Sequence, residues 1–206
     1  MTNKQSTKDK ILDVAIDLFS YKGYSGVSIR EITREVGIKE SSLYNHFKNK
    51  DEIIKTIFEL FQKEFSKTLP PTEMLDDILA NSSIEEFFER GFERFREHID
   101  QPIVEKFWRI LYIEHYRNEQ ARSIFLNDII KKTLDFLKMV FEKLIEQGKI
   151  GTFTPELLAA EYQYPMFSMI AEYNMLRFDS KDTTNIEKRM REHLEFFLEM
   201  IKSKGD

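Results

Sequence analysis

The sequence predicts an all-α fold. The chain has 206 residues with only 7 glycines and 5 prolines, so residues that interrupt helices are scarce. Apolar side chains recur three to four residues apart along much of the chain, and helix-capping patterns separate these periodic stretches. We therefore expect three N-terminal helices followed by a larger helical body. A chain of this length can bury a substantial core.

The first predicted helix covers residues 7–22. Ile11, Ala15, Leu18 and Phe19 recur at helical spacing and define one apolar face. Gly23 follows, and glycine is the usual residue where a helix ends in a left-handed turn. The pattern indicates an amphipathic helix that buries one face and stops at Gly23.

A second, shorter helix is predicted after a brief connection. Ser28 and Glu31 form a capping-box pattern, in which the Ser hydroxyl accepts from the third amide and the Glu side chain reaches back. The helix that they start runs to Val36. Gly37 then ends it.

The third predicted helix covers residues 39–47. Leu43 and Phe47 lie one turn apart on the same face, so they can pack against Ile32 and Val36 of the preceding helix. Two short helices that meet at a glycine and pack in this way are typical of a helix-turn-helix. The outward face of the second one is left free for another molecule.

A fourth helix is predicted to start at Asn49, with Glu52 three residues later and an apolar stripe beyond it. Pro70 and Pro71 end this segment. Four or five longer helical segments follow in the body. The predicted division is residues 1–50 as the head, 51–69 as a connecting helix and 70–206 as the body.

The charge distribution and the composition exclude some kinds of binding site and some cellular locations. The net charge is −5, but residues 1–50 hold 9 basic and 6 acidic residues (+3), which leaves 31−9=22 basic and 36−6=30 acidic residues (−8) for the rest. The absence of Cys excludes disulfides and thiolate metal sites. Because we find no signal-peptide pattern and no run of about 18 apolar residues, we expect a cytoplasmic protein without membrane spans.

The outward face of the third helix carries side chains that suit DNA. Asn45 can pair with the edge of adenine, and hydroxyls and cations can reach phosphates. Lys48 and Lys50 lie at the start of the fourth helix, where free amides also attract phosphate. The candidate DNA-binding residues of this segment are Lys39, Glu40, Ser41, Ser42, Tyr44, Asn45, His46, Lys48 and Lys50. The alternative is that the three lysines only keep a surface hydrated.

Several short motifs together identify a family. They are the Phe19 helix end, "GY" at 23–24, "SIREI", "VGI", "LYNHF" and "KNKDEI". With these motifs, residues 7–60 resemble the N-terminal domain of the TetR (tetracycline repressor) family of bacterial transcription regulators. The remainder of the chain resembles the family only in its helical character.

The resemblance implies roles for individual residues. Ser28, Tyr44, His46 and Lys50 would contact phosphates or hold the helix ends that do so. The residues at base-reading positions would be Arg30, Lys39, Glu40, Ser41 and Asn45. Lys39 and Asn45 depart from the family pattern, which commonly has Ser or Thr at the first position and an aromatic residue at the second.

The resemblance also implies a ligand-binding cavity among the helices of the body. Its candidate lining residues are Trp108, Tyr112, Phe136, Glu161, Tyr164 and Phe167. Glu114, Glu161 and Glu172 lie among aromatic residues and could hold a lipophilic cation. The alternatives are that the rings are ordinary core and that the carboxylates are solvated at the surface.

The last two predicted helices, 155–177 and 185–202, are more apolar than one buried face requires. In the family such helices form a two-fold dimer interface, and a self-complementary apolar patch suits that symmetry. The candidate interface residues are Phe167, Ile170, Met175, Leu194, Phe197, Leu198 and Ile201.

These observations predict a dimeric repressor that binds a pseudo-palindromic operator in double-stranded DNA and is released by an unknown small-molecule effector. Two alternatives stay open: a helical protein-interaction module, and a ligand-responsive activator. An enzyme is not expected, because the four His form no H-x-x-x-H pair and the chain has neither a Gly-rich phosphate loop nor a G-x-S-x-G motif. No cofactor or metal is expected.

Overall fold

A computed structural model describes residues 5–202 of the chain. Every regular element within that range is a helix, which confirms the predicted all-α fold. In chain order the elements are α1 (Thr7–Lys22), α2 (Ile29–Val36), α3 (Glu40–Leu43), α4 (Lys50–Phe65), a 3₁₀ turn (Thr72–Met74), α5 (Leu75–Ala80), α6 (Ile84–Ile99), α7 (Pro102–Glu114), α8 (Glu119–Ser123), a π-helix (Ile124–Lys131), α9 (Lys132–Glu146), α10 (Pro155–Phe178) and α11 (Thr184–Lys202).

Helix α1 has the predicted bounds, and both of its ends have local causes. The Ser6 hydroxyl accepts a hydrogen bond from the Asp9 N–H at 3.2 Å, which satisfies an amide at the start of the helix. At the other end, Gly23 adopts a φ of +68° and its N–H donates to the Phe19 carbonyl at 2.9 Å. Only glycine adopts such a φ without strain, so the end of α1 is encoded locally.

The predicted capping box starts α2. The Ser28 hydroxyl accepts from the Glu31 N–H at 3.1 Å. The Glu31 carboxylate is hydrogen-bonded by Lys22 and by the backbone of Ser28, and these contacts hold its pKa below the usual value. Gly37, in the left-handed conformation with φ at +78°, ends the helix as predicted.

Helix α3 is shorter than the predicted 39–47, because only Glu40–Leu43 is α-helical. Beyond Leu43 the chain tightens: the Asn45 N–H donates to the Ser42 carbonyl at 3.3 Å and the His46 N–H donates to the Leu43 carbonyl at 2.8 Å. These bonds reach three residues back rather than four. Tyr, Asn and His are modest helix formers, and so short a helix gains little from propagation.

Helix α4 begins at the predicted cap. The Asn49 side chain accepts from the Glu52 N–H at 2.9 Å, and the Glu52 carboxylate accepts in return from the Lys48 N–H at 2.6 Å. The predicted apolar stripe is buried, and the helix ends at Phe65, before the two prolines.

The described residues form two compact units. The first contains the residues up to Lys67 together with His98–Ile129, so it combines α1–α4 with α7 and α8. Within it, α1 packs on α7, and α4 packs on both α7 and α8. The predicted functional division at residues 50 and 70 stays a prediction.

The second unit, Thr68–Glu97 and the helical residues after Ile129, has an aromatic core. The Phe88 ring stacks on Phe141 with centroids 5.6 Å apart and meets Tyr162 edge-on at 5.2 Å. Phe197 of α11 closes this cluster, at 5.2 Å from the Tyr162 ring. Between residues 5 and 202, no helix combines the length and the apolar character that crossing a membrane requires.

Candidate nucleic-acid interface

Five polar side chains on and beside α2 and α3 are exposed and form what we call the polar surface. These side chains are Arg30, Lys39, Asn45, His46 and Lys48. None of the five makes a side-chain hydrogen bond or ion pair with another residue of the 5–202 range. Three or four of them carry or can carry positive charge, and none carries negative charge. The polar surface is therefore available to an anionic partner that offers hydrogen-bond acceptors.

Buried apolar residues hold the polar surface in position. Leu43 and Phe47 are buried, as predicted, and so is Ile32 of α2. The Lys8 ammonium lies 5.3 Å from the centroid of the Phe47 ring, which adds a contact from α1. Because the inner side chains of the α3 segment are packed, its outer side chains keep a constant direction.

The other predicted residues of this segment differ in their roles. Ser28 is exposed but its hydroxyl caps α2. Glu40, Ser41 and Tyr44 are exposed, and Ser42 is half-buried. Glu40 would repel phosphate, so it suits a base edge that donates a hydrogen bond, such as the amino group of cytosine.

Lys50 has an internal role, for which the resemblance had implied either a phosphate contact or the support of a helix end. Its ammonium donates to the Tyr24 carbonyl at 2.8 Å and to the Val27 carbonyl at 2.7 Å, and it lies 4.1 Å from the centroid of the Tyr24 ring. An ammonium has three N–H donors, so two are used inside the protein. Lys50 holds the connection between α1 and α2, and the predicted phosphate contact is left to a single donor.

Two predicted ligand residues, Trp108 and Tyr112, belong to an aromatic cluster of the first unit. Their rings stack at 5.7 Å, and Tyr112 also meets Phe125 edge-on at 6.0 Å. Phe61 of α4 meets Trp108 at 5.5 Å. The Tyr112 hydroxyl is buried without a hydrogen-bond partner among the described residues, and burial raises its pKa to about 12. A buried hydroxyl left unsatisfied can donate a hydrogen bond to a polar ligand atom.

The remaining predicted ligand residues lie in the second unit. Phe136 is buried and Phe167 is half-buried. Glu161 and Tyr164 are exposed on the outside of α10. Exposure at the outer face of a helix does not favour Glu161 and Tyr164 as residues of an enclosed cavity.

Most of the predicted dimer residues are core residues of a single chain. Ile170, Leu194, Phe197, Leu198 and Ile201 are all buried without any partner chain. Their apolar side chains are explained by packing within the second unit. Of the seven predicted residues, Met175 is exposed, with 64% of its surface accessible, and Phe167 is half-buried.

Met175 and three residues outside that predicted set form an exposed apolar stripe on α10. The apolar stripe consists of Leu157, Tyr164, Met175 and Phe178, each about half exposed or more. Leu157, Tyr164 and Met175 are separated by about two and about three turns at roughly 3.6 residues per turn, which places them on one face. Leu157 and Phe178 were not predicted from the sequence, although the spacing of Leu157 from Tyr164 could have indicated the first of them.

The described residues hold no group of three or more His, Asp or Glu side chains that could bind a metal ion. Glu114, which the sequence suggested for a lipophilic cation, is buried, and its Oε1 accepts a hydrogen bond from the Tyr24 N–H at 2.8 Å. Its carboxylate is thus used by the protein itself.

Residues 11–57 match the family described as bacterial regulatory proteins, tetR family. One curated relative, named "Probable HTH-type transcriptional regulator YttP" from Bacillus subtilis (strain 168), is 28% identical over 146 residues, which are 71% of this chain and 66% of the relative. Another is the biofilm operon icaADBC HTH-type negative transcriptional regulator IcaR of Staphylococcus epidermidis. It is 52% identical over 52 residues, 25% of this chain and 28% of the relative. The chain thus matches less than two thirds of the length of either relative.

Solved structures agree along almost the whole chain. A transcriptional regulator (TerR/AcrR family) from Aquifex aeolicus VF5 matches with a TM-score of 0.64 and 23% sequence identity, over 93% of this chain and 99% of the other. At that identity the likeness concerns the fold. The family match covers the segment that carries the polar surface, and the relatives extend it toward the body. Residues 11–57 are therefore similar to the tetR family of bacterial regulatory proteins, and the relatives that the chain matches are named as transcriptional regulators.

Proposed function

We propose that this protein is a transcriptional regulator that binds double-stranded DNA through its polar surface. The observation that carries the proposal is that Arg30, Lys39, Asn45, His46 and Lys48 are exposed and have no side-chain partner within the described residues. Cations and an amide in this state can neutralise phosphates and read base edges. The buried Leu43 and Phe47 beneath them keep the segment rigid enough to enter a groove.

The protein acts as a homodimer in this proposal. Two copies that pair their apolar stripes about a two-fold axis would remove Leu157, Tyr164, Met175 and Phe178 from water. A two-fold dimer presents two polar surfaces to a pseudo-palindromic operator. Its half-sites would lie roughly 34–36 Å apart, or a multiple of that distance.

Repression released by a small molecule is the regulatory part of the proposal. The staphylococcal relative is named a negative transcriptional regulator, which supports repression rather than activation. The buried and unsatisfied Tyr112 hydroxyl supports an effector that accepts a hydrogen bond from it. The effector lowers operator affinity only by its own preference for the protein state that binds DNA poorly.

DNA binding is tested by selecting duplexes from a random-sequence library with the wild-type protein and then measuring affinity across a salt series. Binding through phosphates requires that affinity fall steeply as salt rises. The apolar stripe favours a second candidate function, a protein-interaction module that needs no DNA. Failure to enrich any duplex at low ionic strength would leave that second function as the better account.

The effector site is tested with Tyr112→Phe, which removes the hydroxyl and keeps the ring. Because the hydroxyl has no partner in the described structure, the change should leave the free energy of unfolding unchanged or raise it by about 1 kcal/mol. Urea unfolding of the free protein measures this. A loss of more than about 1 kcal/mol would mean that the hydroxyl is already satisfied, and the support for an effector contact would disappear.

A further inference from the structure

Glu114 is the last residue of α7, and its carboxylate is buried at 3% exposure. Its Oε1 accepts a hydrogen bond from the backbone N–H of Tyr24 at 2.8 Å. Both residues belong to the first unit. Burying a carboxylate costs free energy because the group loses its hydration. Packing alone therefore does not explain a Glu at this position, and its hydrogen bond to the backbone needs an explanation.

The Tyr24 amide needs an acceptor because of its place in the chain. Gly23 makes the last hydrogen bond of α1, to the Phe19 carbonyl, so the next N–H lies beyond the helix and has no partner in it. Glu114 supplies that partner. A buried backbone donor without one would cost free energy comparable to a lost hydrogen bond.

The same residue is also held by α4. The Tyr24 carbonyl accepts from the Lys50 ammonium at 2.8 Å, and the Tyr24 hydroxyl donates to the Asp51 carboxylate. Tyr24 therefore has its amide hydrogen-bonded to α7, and its carbonyl and hydroxyl hydrogen-bonded to α4. Four residues further along, Ser28 starts α2, which carries Arg30 of the polar surface.

Gly23 allows α7 to come this close. A Cβ at Gly23 would lie 3.0 Å from the Ile113 Cγ2 and 3.2 Å from the Glu114 Oε1, closer than ordinary contact. The glycine is thus required both by its positive φ and by the approach of α7.

Two further contacts align α7 with α1. The Lys106 ammonium pairs with Asp17, and the Arg109 guanidinium lies 4.9 Å from the centroid of the Tyr21 ring. With Glu114 at Tyr24, the contacts extend over the C-terminal half of α1. The two helices therefore have a defined register, and Glu114 is placed at the turn that leads to α2.

We infer that Glu114 is a positioning residue for DNA binding, whose carboxylate fixes the Tyr24 peptide and thereby the orientation in which α2 presents Arg30. This inference rests on the proposed function. Glu114 itself touches no DNA in it, because it is buried and acts through the turn at residues 23–27. The hydrogen bond needs an oxygen acceptor rather than a negative charge, so an amide of the same shape can replace the carboxylate.

The decisive experiment compares Glu114→Gln with Glu114→Ala in the full chain. Exchange of the Tyr24 amide with solvent is followed by NMR, and affinity is measured for a duplex selected by the wild-type protein. In the Ala variant we expect Tyr24 exchange to accelerate by about tenfold or more and duplex affinity to fall by about tenfold. The salt dependence should stay the same because no phosphate contact is lost. The Gln variant should stay close to wild type in Tyr24 exchange, in duplex affinity and in salt dependence.

Ile110→Val is the matched control, since Ile110 is a buried residue of the same helix and the change weakens packing without removing the Glu114 carboxylate. It should lower stability without selectively accelerating Tyr24 exchange. Should Glu114→Ala fail to fold, Glu114→Asp replaces it, because the shorter side chain withdraws the oxygen and keeps the charge.

Three outcomes overturn the inference. Wild-type rates of Tyr24 exchange in the Ala variant would show that the bond does not hold the turn. Faster exchange with unchanged duplex affinity would show that the turn does not govern DNA binding. If the wild-type protein itself binds no duplex, the proposed function fails and the inference fails with it. This case differs from the first two because the wild-type protein, and not only the variant, shows the failure.

Discussion

The polar surface and the apolar stripe are both left uncovered by a single chain, but they differ in their relation to water. Arg30, Lys39 and Lys48 are well hydrated when they are free. Leu157 and Met175 are not, and each square ångström of apolar surface costs roughly 25 cal/mol while it stays in water. The first surface is stable without a partner, whereas the second is stabilised by permanent coverage.

This difference indicates two kinds of partner. A polar surface can release its partner and return to water, as a reversible regulator requires. An apolar stripe is better matched by a second copy that stays bound. The comparison predicts that changes in the stripe alter the assembly, while changes in the polar surface alter DNA binding and leave the fold intact.

The largest effect is expected from charges placed in the stripe. Tyr164→Glu combined with Met175→Glu should separate the dimer, because carboxylates would face each other across the two-fold axis. Operator affinity should then fall by about 10² to 10⁴, since two linked binding surfaces become one. Sedimentation gives the mass of the assembly, and titration of a labelled operator gives the affinity.

The matched control for the stripe is Met74→Glu, the same chemical change at a Met that is 53% exposed in the second unit. It should leave both the mass and the affinity unchanged. A double variant that still sediments as a dimer would remove the stripe from consideration as the interface.

A smaller effect is expected from Asn45→Ala in the polar surface. Loss of a bidentate contact to a base should weaken binding to the selected operator by about 1–3 kcal/mol, while affinity for random duplex stays constant. Competition binding measures both. The same change at exposed Asn127 serves as the control, and equal losses on specific and random DNA would contradict a base-reading role for Asn45.

Lys48→Ala should change the salt dependence rather than the specificity. Removing one phosphate contact should reduce the slope of log affinity against log salt by roughly one unit. Lys63→Ala, near the far end of α4, should leave the slope as it is. An unchanged slope in the Lys48 variant would mean that this lysine only keeps the surface hydrated.

The smallest effect concerns stability. His46→Ala and Lys48→Ala should each shift the free energy of unfolding by no more than about 0.5 kcal/mol, because both side chains are exposed and make no internal bond. Lys50→Ala should cost more, since it removes the donor from two backbone carbonyls. Urea unfolding measures all three, and a large loss at His46 would show that the polar surface is part of the fold.

The head of the molecule could be predicted from its sequence because its signals are local. Ser28, Gly37 and Asn49 act within four residues of their own positions, and each caps or ends a helix as expected. The length of α3 was overestimated, since periodicity does not distinguish an α-helix from a tight turn that keeps Leu43 and Phe47 on one side.

The body was harder to predict because its apolar residues have two uses. Leu194 and Phe197 fill the core of one chain, while Leu157 and Phe178 are exposed, although each pair consists of one Leu and one Phe. Composition and spacing identify the helix but not the side that its neighbours cover. Only the packing of α9 and α11 against α10 decides which face is left for a partner.

By itself the sequence determined the helical fold, the ends of the N-terminal helices and the residues that could face DNA, because capping and periodicity operate over a few positions. The tertiary structure alone decided that Lys50 holds the α1–α2 connection, that Glu114 meets the Tyr24 amide from a position 90 residues away in the chain, and that α10 exposes its apolar stripe. Because contacts of this kind depend on how distant segments pack, patterns that extend over a few residues do not predict them.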